Sequence, residues 1–251
     1  MLVSELASED RELTRQHLAA ERLRLLMLSE NHLPQYRPRL LTDQQILRKD
    51  ELSTRLLQSQ NPLILDTYVP IFTTADGNCL FRAVSMLCYG TEDHHELLRL
   101  LCACEVILHP HMYNRDSSFL YEPFRNAKYL SVPSMDNVID ELLRHGRQEK
   151  GYVGVVSMLA ASCIIHRPIT MFYPLTSEDG IYSEYNQTLV GRDVNADEES
   201  ISVLWTTTED REVMSSNAGL KINHFAALVT VSNVTRPTDS TYMETDTTEG
   251  E

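Results

Sequence analysis

At 251 residues the chain has the length for one good-sized domain with extensions, or for two small ones, and its 42% hydrophobic and 23% charged residues are those of a globular protein. A formal net charge of -14, with a pI near 5.0, is the wrong sign for a surface that tracks nucleic-acid phosphates, so no nucleic-acid partner is expected. Five cysteines without the spacing of a secreted disulfide framework, and no uncharged apolar run of membrane-spanning length, exclude a disulfide scaffold and a membrane-spanning chain.

The opening residues, Met1 to Leu6, lack the basic-then-apolar pattern of a secretory signal. The expected setting is therefore intracellular, cytoplasmic or nuclear, where thiols stay reduced. The first stretch, 1–62, reads as a helical N-terminal extension. Leu18, Leu23, Leu25, Leu26 and Met27 cluster among charges up to Pro34, and Ile46, Leu52, Leu56 and Leu57 predict a second helix that stops near Asn61 and Pro62.

A catalytic-type domain is expected over 63–233. Leu63 to Leu65 and Val69 to Ile71 lead into the turn Asp76-Gly77-Asn78, after which Leu80, Val84, Leu87 and Cys88 fall on one helical face. Gly90 supplies the C-terminal stop. A helix over about 93–108 is predicted to bury Leu97, Leu101 and Leu108, with Leu98 and Val106 beside them. A short helix over 135–144 follows, then a clear one carrying Tyr152, Val155, Val156, Leu159 and Cys163. Ile169 to Tyr173, Ile201 to Thr206 and His224 to Val231 read as strands. The polar stretch 234–251 is expected to be a disordered acidic tail. Helices first and strands last, without regular βαβ alternation, give an α+β class.

The chemistry centres on Cys79. It stands at a helix start, where free N–H groups favour thiolate, so its pKa is expected to be depressed. Gly77 can adopt positive φ, which turns the N–H groups of Asp76, Gly77, Asn78 and Cys79 toward one point, an oxyanion-type cradle. His224 opens a late strand and is the candidate base. His94, His95, Cys102, Cys104, His109 and His111 invite a metal reading, but Cys102 and Cys104 project from different faces of one helix and no CxxC pair is present. No metal and no cofactor are expected. Cys88, Cys102, Cys163 and Trp205 read as core.

Asp76-Gly77-Asn78-Cys79-Leu80-Phe81-Arg82-Ala83-Val84-Ser85 closely resembles the nucleophile motif of the ovarian-tumour (OTU) cysteine proteases, which cleave ubiquitin from proteins. Three further blocks follow in the family's order: Tyr89 to Arg99, Gly154 to Phe172, and Asn223-His224-Phe225-Ala226-Ala227-Leu228. The resemblance covers about residues 65 to 232. It implies an OTU-type, papain-like cysteine protease fold, a small central sheet flanked by helices. It also implies Cys79 as nucleophile, His224 as general base and Asp76 as a member of the catalytic set, here shaping the oxyanion loop. Ubiquitin or a ubiquitinated protein is the implied partner; oligomeric state is left open.

The chain departs from that pattern where many members carry an Asp or Asn two residues after the histidine to orient it. That position is Ala226. Asn223 is a candidate substitute, although adjacent strand residues face opposite ways. Phe225 replaces the commoner Tyr, and Tyr152, Val153 and Ser157 replace the usual Trp-Gly and Glu. The blocks Ser85 to His109 and Leu159 to Pro174 also resemble, more distantly, vertnin, an OTU-like protein associated with nuclear regulation whose catalytic motif is degenerate. Two functions follow: a deubiquitinase, or an OTU-like pseudoenzyme that binds a partner.

Overall fold

A computed structural model describes residues 47–113, 138–139, 141–142, 154–175, 185–209 and 222–231. The predicted helix around 18–27, Tyr152 and Val153, and the acidic tail lie outside the described residues, as does most of the short helix predicted over 135–144; Val138, Ile139, Glu141 and Leu142 from it are helical.

The first described helix, α1 (Glu51–Gln60), begins at Asp50, whose carboxylate accepts the Ser53 N–H at 3.0 Å and the Ser53 hydroxyl at 2.6 Å. An Asp at this place satisfies donors the helix itself leaves open. Pro62 ends the run and heads a 3-10 turn, Pro62–Asp66, which delivers the chain into β1 (Tyr68–Ile71). Helix α2 (Cys79–Tyr89) closes on Gly90 in the left-handed region at φ 75°, as the sequence predicts. Helices α3 (His95–Leu108) and α4 (Val155–Ile165) follow, then β2 (Ile169–Phe172), the two-residue β3 (Thr188–Leu189), β4 (Ile201–Thr206) and β5 (His224–Thr230).

The strands form one sheet in the order β1-β5-β4-β2-β3. Only β2 and β4 run parallel; the other neighbours are antiparallel, with Ile71 opposite Ala227 and Thr206 opposite His224. The architecture is α+β, as expected from the element order. The short β3 carries no sequence signal, since a two-residue pairing is too brief for a periodic pattern.

Strand alternation divides the core. Phe225, Ala227, Val229, Val203 and Trp205 face the main cluster built by α2, α3 and α4. Leu204, Ala226 and Leu228 face the opposite way, against Leu57 of α1 and Ile64. Helix α1, from the segment assigned to the extension, thus covers the second face of the sheet. Helix α4 is buried on nearly every side, which explains its apolar composition all round. In α3 the buried stripe runs through Leu98, Cys102 and Val106. Leu98, Leu101 and Val106 are buried as expected, whereas Leu97 is only partly buried and Leu108, the last residue, is exposed; α3 packs between α2 and α4, and every residue from Leu101 to Ile107 is covered.

Candidate functional site

The loop from Thr73 to Asn78 and the first turn of α2 form a braced unit. Gly77 sits at φ 84°, a conformation that costs an L side chain roughly 1–2 kcal/mol, and this bends the chain into α2. Asp76 receives the Asn78 N–H at 3.0 Å and a forked contact from Arg82, with Nη2 at 2.6 Å and Nε at 3.1 Å. Burial opposes ionisation of Asp76, but the Arg82 and Asn78 hydrogen bonds outweigh it and hold the carboxyl down to about 2. Arg82 also reaches Glu92 at 3.0 Å, and Glu92 in turn accepts the N–H and hydroxyl of Thr74.

Arg99, from α3, enters the same loop from inside the core and is only 4% exposed. Its Nη1 donates to the Gly77 carbonyl and to Asn78 Oδ1, both at 2.8 Å, while Nε donates to the Leu142 carbonyl at 2.9 Å and Nη2 to that of Glu141. A buried guanidinium is tolerated because every arm finds an acceptor.

Cys79 is partly exposed at the start of α2 and packs against the main core. The N–H groups of Phe225 and Leu80 are directed at its sulfur. Burial nonetheless dominates, and with the Asp76 charge nearby it pushes the thiol up to about 11. The depressed pKa expected from the helix start is therefore overturned for the resting molecule: desolvation of the charged form exceeds the pull of the backbone donors.

His224 opens β5 and is 4% exposed. Burial pulls its pKa below the ordinary value, opposed by the charge of Asp50, by the backbone carbonyl of Thr73 and by the charges of Glu92 and Asp76. Its Nε2 lies 3.2 Å from the Thr73 hydroxyl, and its Nδ1 has no hydrogen-bond partner among the described residues. Thr73 is itself fully buried and donates its hydroxyl to the Phe225 carbonyl. Thr206, opposite His224 in the ladder, meets Ser53 at 2.7 Å, and Ser53 bonds Asp50.

The predicted site residues thus gather unevenly. Asp76, Gly77, Asn78 and Cys79 share one turn, and Cys79 and His224 are anchored at consecutive residues of β5. No hydrogen bond joins the thiol to the imidazole. The cause is visible in the strand. Cys79 approaches the edge of β5 that continues past the end of β1, whereas alternation puts the His224 side chain on the α1 face, with Ala226 and Leu228. The Asn78 N–H is taken by Asp76, which leaves Asp76, Gly77 and Cys79 as the loop's candidate oxyanion donors. Asn223 holds Thr208, with its Oδ1 accepting the N–H at 3.1 Å and the hydroxyl at 3.3 Å, and among the described residues no hydrogen bond joins it to the imidazole.

Sequence reasoning missed Thr73, Glu92, Arg99 and Asp50. Arg99 had a legible signal: a cation inside an apolar helical run needs buried acceptors. Thr73 had none, because one threonine before a turn is unremarkable.

The family model for the vertnin OTU domain matches residues 70–206, more than half of the chain. The chain belongs to that family. The matched span runs from β1 through the Cys79 loop to the end of β4, and His224 lies beyond it. The mixed sheet with its flanking helices is the α+β fold of this OTU domain. Among solved structures, the OTU domain of OTUD1 is similar at 16% identity and a TM-score of 0.43, covering 70% of this chain and 99% of that one. The OTU protease of Farallon virus follows at 16% and 0.40, covering 67% and 88%; the Hazara virus OTU domain, solved bound to ubiquitin, stands at 14% and 0.39, covering 67% and 84%. No curated protein sequence matches significantly. Among the described residues, no helix of this OTU domain is long and apolar enough to cross a membrane, and no three His, Cys, Asp or Glu side chains are grouped to hold a metal ion.

Proposed function

We propose that this OTU domain is a cysteine-type deubiquitinase that hydrolyses isopeptide or peptide bonds at the C-terminus of ubiquitin. The observation that carries the reading is the anchoring of thiol and imidazole to adjacent residues of β5, beside a turn built for an anion. Cys79 Sγ accepts the Phe225 N–H, His224 is the preceding residue, and Gly77 holds the loop at positive φ. His224 takes the thiol proton as Cys79 Sγ attacks the carbonyl carbon of ubiquitin's terminal glycine. The N–H groups of Gly77 and Cys79 receive the tetrahedral oxyanion. Collapse expels the lysine amine, which takes the proton from His224 and leaves a thioester. Water then adds, gives its proton to His224, and the thiolate leaves and is reprotonated.

In the resting state the thiol stays protonated near neutral pH and is not bonded to the base. Catalytic hydrogen bonds often tighten only when substrate is bound. The substrate tail is therefore assigned the work of bringing His224 and Cys79 together.

The second reading is an OTU-like module that binds a partner without turnover. It is favoured by the thiol at about 11 and by the missing Cys79–His224 hydrogen bond. Ubiquitin carrying an electrophile at its C-terminus separates the two. The deubiquitinase forms a covalent adduct that disappears in both Cys79→Ala and His224→Ala. Ubiquitin binding by the wild type with no adduct over pH 6 to 9 would leave the binding module as the function.

A further inference from the structure

The imidazole of His224 is buried, and among the described residues only one of its two nitrogens has a hydrogen-bond partner. Proton accounting at that partner decides its chemistry. The Thr73 hydroxyl has a single proton, and it is donated to the Phe225 carbonyl, which can only accept. The contact between Thr73 Oγ1 and His224 Nε2, at 3.2 Å, must then have the nitrogen as donor. Neutral His224 therefore carries its proton on Nε2 and leaves the lone pair on Nδ1 free. Nδ1 is the nitrogen without a partner.

We propose that Thr73 is the positioning residue of His224, holding Nε2–H so that Nδ1 is the base that serves Cys79. This rests on the assignment of His224 as general base under the deubiquitinase reading. It answers the problem posed by Ala226, which carries no polar atom and is buried against Leu57, Leu204 and Leu228. Thr73 does from the end of β1 what a polar side chain two residues after the histidine would do from within β5.

The same hydroxyl has a second consequence. Thr73 grips the Phe225 carbonyl while the Phe225 N–H grips the sulfur of Cys79, so one peptide segment ties nucleophile, base and positioning group together. Both groups of Phe225 point to the strand edge that β1 leaves open after Ile71. A residue that packs without bonding would have no reason to direct its one proton there and its lone pair to Nε2. The ring is also shielded from water, so a competing tautomer would have to leave the Thr73 oxygen without its donor.

The test compares Thr73→Val, which keeps shape and removes the hydroxyl, with Thr73→Ser, which keeps the hydroxyl. Two readouts are taken on the full chain. The first is the tautomer of His224 from nitrogen chemical shifts in histidine-labelled protein. Wild type and Thr73→Ser are expected to show protonated Nε2, and Thr73→Val a mixture or the opposite form. The second is the rate of adduct formation with electrophilic ubiquitin, expected to fall roughly tenfold to hundredfold in Thr73→Val through the reaction step and to stay within a few-fold of wild type in Thr73→Ser. An unchanged tautomer in Thr73→Val overturns the proposal, as does an unchanged adduct rate where the wild type reacts. A wild type that forms no adduct, but whose tautomer depends on Thr73, removes the deubiquitinase reading and leaves the positioning role standing.

Discussion

The turn that presents Cys79 and the strand end that presents His224 meet at Phe225 and are built in opposite ways. On the nucleophile side, bracing is redundant. Asp76 has Arg82 and Asn78, Arg82 has Glu92, Glu92 has Thr74, and Arg99 ties Gly77 and Asn78 to the helical residues Glu141 and Leu142. On the His224 side, a single residue, Thr73, meets the ring through its hydroxyl and its backbone, and the charge of Asp50 acts on the ring as well. A loop at a positive φ must be held by several groups because its conformation is costly, whereas a strand residue inherits its backbone from the ladder. The nucleophile side therefore depends on stability, and the base side on chemistry.

The largest break in that comparison is expected at Arg99. Replacing it with Met removes four donated hydrogen bonds and leaves the carbonyls of Gly77, Glu141 and Leu142 and the Asn78 amide oxygen without their donor inside the core. Such a deletion costs about 3–5 kcal/mol, read as a lower midpoint in denaturant unfolding with unchanged slope. A loss below about 1 kcal/mol would mean that water satisfies those acceptors and that the loop is held by Asp76 and Arg82 alone.

Asp50 is the smaller counterpart on the base side. It caps α1 and bonds Ser53, which meets Thr206 opposite His224. Asp50→Ala is expected to cost about 1 kcal/mol of stability through the lost cap, and Asp50→Asn only a few tenths, since Asn caps nearly as well. Both remove the charge that raises the His224 pKa. Histidine proton shifts followed through pH should therefore move the His224 midpoint down in both variants, by a similar amount. A midpoint that moves only in Asp50→Ala would trace the effect to the cap and not to the charge.

How much of this was legible follows the same division. The helix from Cys79 to Tyr89, the strand from Ile201 to Thr206 and the helix around Val155 to Cys163 come from apolar spacing and stop signals, which are local. Asp76, Gly77 and Cys79 lie within four consecutive residues, so a motif can carry them. The burial of the Cys79 thiol could not be read that way, because it is produced by packing against β5, a strand some hundred and fifty positions downstream in the chain. Thr73 was invisible for the same reason: its role exists only where β1 ends one step short of β5. Leu97 in α3 shows the limit from another direction, since Leu97 and Leu98 are equally apolar and only the neighbours α2 and α4 choose between them.

The smallest effect distinguishes the two sides by pH. Asp76 titrates at about 2 in the folded chain against an ordinary value of 3.8, so the unfolded chain binds the proton first as pH falls. Stability from that group is complete above the ordinary value and is lost between about pH 4 and 2, on the order of 1 kcal/mol after allowance for solvent screening. The folded pKa of His224 is lowered below its ordinary 6.5 by burial, so here too the unfolded chain takes up the proton first. Its contribution is unchanged above that value and is lost as pH falls below 6.5. Denaturant titrations between pH 7.5 and 3 should show two separate declines. His224→Gln is expected to remove the upper one and Asp76→Asn the lower. An upper decline that survives His224→Gln would place its origin in another buried group and would weaken the case that the ring rests neutral, with its Nδ1 lone pair ready for the Cys79 proton.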